Sequence, residues 1–172
     1  MKALFATRCR YNAWANARLY AAMASLAPET LAAPSAVNFG SIVAIANHLV
    51  LADRLWLTRF TGQGQPVPSV DAVPYPALAD LRAACRIEEA RAEAFCRGLD
   101  AARLGETLSY VTTDGTPMAL PLALCLDHFF NHQTHHRGQI HGLLGAHGLK
   151  AADIDLLGFE RETATYAGLG QA

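Results

Sequence analysis

A charge imbalance, a long apolar run and paired cysteines are all missing from this 172-residue chain, and each absence closes a class of function. Lys and Arg number 14 against 15 Asp and Glu, for a net charge of -1. There is no basic excess to neutralise a phosphate backbone, so no nucleic-acid partner is expected. No stretch reaches the roughly 18 apolar residues of a membrane-crossing helix, and no membrane association is expected. The opening residues "MKALFATRCRYNAW" lack the cleavage pattern of a secretory signal, so a cytoplasmic protein is expected. The 4 cysteines, Cys9, Cys85, Cys96 and Cys125, stand far apart without CxxC spacing. They give no zinc ribbon and no redox pair, and read as reduced side chains packed inside helices.

What the chain does have is alanine, leucine and helical periodicity. At this length a single domain over residues 1–172 is expected, large enough to bury a core. Residues 3–26 place Leu4, Phe5, Tyr11, Trp14, Ala15, Leu19, Met23 and Leu26 at spacings near three and four, which predicts a first helix. Ser41 is a suitable cap for a second helix over 41–60. The segment "TGQGQPVPSVDAVPYP", rich in proline and glycine, cannot continue it. A third helix follows in "ALADLRAACRIEEARAEAFCRGL", ending beside Gly98. Next, Asp114-Gly115 between two short extended runs predicts a two-residue β-hairpin turn. A fourth helix runs from near Pro121 to Ala146 or His147, with Gly148 as its stop. The tail from residue 151 carries an apolar segment expected to dock before the chain end frays. The pattern predicts an all-α four-helix bundle with a small β-hairpin between helices 3 and 4.

The chain holds 7 histidines, and all except His48 lie between residues 128 and 147. Helical geometry sorts them. With His128 at zero, the apolar side chains of the fourth helix fall between about 60° and 160°. His132 then stands at about 40° and His136 at about 80°, inward and one turn apart. His128 and His135 fall on the rim, while His141 lies on the far side near 220°. An i, i+4 pair of inward imidazoles can share one metal ion, and a third ligand must come from another helix. His48, flanked by apolar residues in the second helix, is the remaining candidate, which gives a triad of His48, His132 and His136. Hydrogen bonds to backbone, carboxylate or water satisfy inward histidines equally well, so spacing alone leaves metal and no metal both open.

Other residues have competing readings. Asp53 and Asp127 are candidates to orient a ligand imidazole, against the usual surface fate of aspartate. Cys125 is either core packing or a soft ligand. Arg137 points about 140° away from His132, which favours an ion pair within the bundle over an anionic substrate. Gly138 and Gly142 would let a neighbouring helix approach closely, within the bundle or in a dimer contact. Gln133 occupies the place of the glutamate in the metalloprotease HExxH pattern, so a peptidase is not expected.

Three segments carry a family resemblance: "YNAWAN" (11–16), "NHLVLADRLWL" (47–57) and "HQTHHRGQI" (132–140). With them in this order, the chain resembles the DinB-like (DinB/YfiT-like) family of bacterial metal-binding four-helix-bundle proteins. "HGLKAADIDLLGFER" (147–161) also resembles a tail found in one subgroup. The resemblance implies an up-down-down-up bundle and a metal triad at His48, His132 and His136. It further implies nickel or zinc as the divalent metal and a homodimer. Relatives with known activity include thiol-dependent S-transferases and a thiol-dependent maleylpyruvate isomerase. An open three-histidine site suits hydrolysis or thiol transfer on a small molecule, with a non-catalytic metal-binding or small-molecule-binding bundle as the alternative.

Overall fold

The computed structural model of the chain describes residues 2–149 and 153–163. Four long helices dominate: α1 (Lys2–Met23), α3 (Ile42–Thr61), α4 (Leu78–Arg97) and α6 (Leu122–Ala146). Three short ones, α2 (Pro28–Ala32), α5 (Ala101–Leu104) and α7 (Leu156–Thr163), fill the connections and the tail. Strands β1 (Thr107–Val111) and β2 (Pro117–Pro121) form one antiparallel hairpin between α4 and α6. The expected all-α bundle with a hairpin is therefore the fold.

Local chemistry sets the helix ends. Ser41 adopts an extended conformation and its Oγ accepts from the Ala44 N–H at 3.2 Å, capping α3 as expected. At the other end Gly62 takes a left-handed φ of 70°, and its N–H donates to Thr58 O. The hairpin departs from the expected two-residue turn. Pairing stops at Val111 opposite Pro117, and residues 112–116 form a longer connection. Thr112 explains the difference: its Oγ1 donates to Asp114 and accepts from the Thr116 N–H, so the loop satisfies its own polar groups.

Side-chain pairings fix the helix directions. On α1 and α6, Phe5 stacks on Phe130 and Asn12 meets Arg137, so these helices run parallel. On α3 and α4, Arg54 meets Glu88 and Phe60 meets Phe95, again parallel. His48 and His132, with Trp56 and His128, set α3 antiparallel to α6. The order is up-down-down-up. The docked tail segment is α7, whose Phe159 packs edge-on against Tyr11 and Trp14 of α1. The expected fraying of the last residues falls outside the described residues.

The interior has two apolar clusters. One gathers Leu19, Met23, Ile45, Leu49, Leu81, Ile140 and Leu144; the other gathers Phe5, Leu57, Phe60, Leu99, Leu126, Phe129 and Phe130. Truncating one such leucine to alanine costs about 2–5 kcal/mol. Mid-bundle, all four long helices also contribute buried polar side chains: Asn12 and Asn16, Asp53, Glu88, and Gln133 with Arg137. They bond to one another or to partly buried neighbours. Gln133 donates to Asp53, Arg137 to Asn12, and Asn16 to Glu89 at 3.0 Å. The Glu88 carboxylate receives Arg54 at 2.8 Å and also pairs with Arg91.

Candidate metal centre

Two helices build the site. α6 presents His132 and His136 one turn apart, and antiparallel α3 brings His48 against them. His132 Nε2 lies 3.2 Å from His48 Nε2 and 3.1 Å from His136 Nε2. One ring nitrogen from each residue falls within 4.8 Å of the others. His48 and His136 are buried and His132 is half-buried, so the group opens toward solvent on the His132 side.

The outer nitrogens decide the tautomers. His48 Nδ1 sits 3.0 Å from the carbonyl oxygen of Val70, which can only accept, so the proton is on Nδ1. His136 Nδ1 likewise donates to Gln139 Oε1 at 2.7 Å. Both Nε2 atoms therefore turn lone pairs toward His132, which even with its proton on Nε2 can satisfy only one of them. Three ring nitrogens with at most one proton between them fit a cation. Their 3.1 and 3.2 Å separations also match imidazoles around an ion that is bound at about 2.0–2.1 Å from each nitrogen.

Electrostatics keeps these rings neutral, the form a ligand needs. Burial pushes His132 down to about 3, helped by the neighbouring imidazoles. Burial also lowers His48 and His136, opposed at His48 by the Val70 carbonyl and at His136 by Gln139. The ring of Phe39 stacks on His48 with centroids 3.9 Å apart and meets His136 edge-on at 5.5 Å. Phe39 holds a left-handed φ of 68°, a costly conformation for a bulky residue, immediately before the Gly40-Ser41 entry to α3.

The remaining candidates separate cleanly. Neither aspartate orients a ligand. Asp53 is buried one turn below the site and accepts from Gln133, with burial pushing its carboxyl up to about 8. Asp127 is exposed and pairs with Arg8 at 2.9 Å. Their places are taken by Val70 and Gln139. Cys125 is 1% exposed inside the apolar cluster of Phe5, Phe60 and Phe129 and is not part of the histidine group. Arg137 is buried against Asn12, Asn16 and Thr134, with its guanidinium over the Tyr11 ring at 5.1 Å. Its role is structural, though amides and an aromatic ring stand where a carboxylate partner was expected. His128, His135 and His147 are exposed and His141 is half-buried, all outside the group. Gly138 and Gly142 are exposed, and among the described residues no neighbour lies within 4 Å of a Cβ built on either.

Val70 carries no sequence signal, because a backbone carbonyl in a proline-rich loop could belong to any residue there. Gln139 does carry one: three residues after His136, it lies on the same helix face. Phe39, nine positions before His48 in a loop, had no periodicity to reveal it.

Fold and site together define a four-helix bundle in which three convergent imidazoles could hold a metal ion. The chain belongs to the DinB family, whose model matches residues 1–168. No curated protein and no solved structure matches it.

Proposed function

We propose that His48, His132 and His136 bind one divalent transition metal, nickel or zinc, and that the site activates a small thiol for transfer to a small electrophile. The convergence of three Nε2 atoms, with the opposite nitrogens of His48 and His136 already bonded, carries this reading. Held by three neutral imidazoles, a divalent ion keeps its full charge and acidifies a thiol or water at its open position. One feature favours the thiol: no carboxylate joins the histidine group among the described residues, so hydrolysis has no carboxylate base at hand. All four cysteines are buried, so such a thiol would come from outside the chain. Val70 and Gln139 hold two ligands in their binding tautomer, and Phe39 shields one flank.

The test starts from protein purified without a histidine tag. One metal ion per chain is expected, lost in His48→Ala while helical content is unchanged. Absence of binding on titration with nickel and zinc overturns the reading. The loaded protein should then conjugate an activated aryl chloride only when a small thiol is present. Ester hydrolysis without thiol would replace transfer by hydrolysis, and neither activity would leave a metal-binding protein without catalysis. We further propose that the protein is a cytoplasmic homodimer. The open face at Gly138 and Gly142 supports the dimer, and sedimentation at micromolar concentration tests it. No described helix is long and apolar enough to cross a membrane.

A further inference from the structure

Arg59 forms no ion pair among the described residues, whereas Arg54 and Arg91 both pair with Glu88; Arg103, at the same end of α3, is likewise unpaired but donates to Phe60 O at 3.0 Å. The Arg59 guanidinium carbon lies 4.8 Å from the Trp56 ring centroid and 4.6 Å from that of Tyr110. One nitrogen donates to the Val111 carbonyl oxygen at 2.9 Å. Two rings and one carbonyl fix the guanidinium plane and leave further N–H groups without a charged acceptor. No Asp or Glu side chain pairs with it among the described residues; its side-chain contacts are the two rings and the Val111 carbonyl.

Its position connects it with the metal centre. On α3, Arg59 follows His48 by eleven residues, about 20° away around the helix and about 16 Å along it. Aromatic rings link the two places. Trp56, beside Arg59, meets His128 at 5.1 Å, and His128 meets His132 at 5.8 Å. The seam between α3 and α6 thus has three histidines at one end, a ring-lined middle, and an unmatched guanidinium at the hairpin end.

We infer that Arg59 is the anchor for a carboxylate at the far end of the small thiol whose sulfur reaches the three histidines. The inference rests on the thiol reading above. It selects an elongated acidic thiol over a short or neutral one. Arg59 offers paired N–H donors matched to a carboxylate in a partly desolvated setting, where a charge-assisted hydrogen bond discriminates about tenfold or more.

The probes are mercaptooctanoate and mercaptooctanol, alike except for the terminal group, titrated calorimetrically into cobalt-loaded protein. The acid should bind about tenfold tighter than the alcohol. Arg59→Met should erase that preference with metal content unchanged, and Arg59→Lys should keep part of it. A second measurement stands apart from the metal. In a Trp14→Phe background the Trp56 emission of metal-free protein should respond to octanoate and not to octanol, and Arg59→Met should silence the response. Failure to load metal with the octanoate response intact would overturn the thiol reading and leave Arg59 as a carboxylate site alone. Equal binding of acid and alcohol with no octanoate response would overturn the inference, as would a preference that survives in Arg59→Met. If Arg59 served only to hold the hairpin, both variants would lower the melting temperature and neither would change the preference, which also overturns it.

Discussion

The ring of His48 is positioned by a residue outside its own helix: its Nδ1–H donates to the Val70 carbonyl, 3.0 Å away and 22 residues further along the chain. The Val70 loop is in turn tied to α3 by Asn47, the residue before His48. Asn47 is fully buried, donates to Val43 O and Tyr75 O, and accepts the Tyr75 N–H, each at 2.9 Å. Arg54 adds a bond to the Tyr75 hydroxyl at 3.1 Å. The long loop is therefore part of the candidate metal centre.

Asn47→Ala removes no ligand, yet it frees the loop that fixes the His48 tautomer. Zinc affinity is expected to fall about 10- to 100-fold, the usual effect of losing an outer hydrogen-bond partner. Competition with a chromogenic chelator measures it, and an unchanged affinity would show that the loop does not position His48.

Metal-free protein should lose stability in acid through His132. The unfolded chain takes up this proton below about pH 6.5, whereas the folded ring resists it down to about 3. Between those values the unfolded state binds more protons, so stability falls as pH falls, and above that window this group has no effect. Urea unfolding in chelator at about pH 7.5 and about pH 5 should show the slope, and His132→Gln should flatten it.

Glu88 is 2% exposed and is shared by Arg54 and Arg91. Glu88→Ala leaves two guanidinium groups with no counter-charge at a largely buried position, a loss on the order of 3 kcal/mol. Denaturant midpoints read it. A change under about 0.5 kcal/mol would mean that both arginines relax into water.

All 4 cysteines are buried and free. Burial raises Cys85 and Cys125, and Cys9 is raised by its neighbour Cys96 together with burial. A thiol-specific reagent should leave the native protein unlabelled and modify all four after unfolding. Rapid labelling of the native protein would reopen the question of where the reacting thiol comes from.

The long elements were legible because each carries its own periodic stripe and stop signals. Ser41 and Gly62 bracket α3 within a residue of the expected span, and α6 begins at Leu122, directly after Pro121. Facing around α6 brought His132 and His136 inward, and the count of histidines outside that helix led to His48. The short helices α2 and α5 went unpredicted, since four or five residues are too few to show a period. Asp53 looked like an orienting carboxylate because it lies inward on α3. Its bond to Gln133 depends on the relative heights of two helices, which no single-helix pattern contains. Val70 was invisible for the same reason: tertiary contact gave its carbonyl a role.

The buried amides, carboxylates and Arg137 at mid-bundle also act as a ratchet stop on the whole assembly. Leucines and alanines of the two apolar clusters could interdigitate almost as well after one helix slid a turn, about 5.4 Å, along its neighbour. Such a slide would strand Asn12, Asp53, Gln133 and Arg137 opposite hydrocarbon, each without its acceptor or donor. It would also carry His48 one turn past His132. The same interlock that indexes the helices therefore sets the aperture between the imidazoles, so a core mutation well away from the histidines can detune the three-histidine group by changing helix register alone.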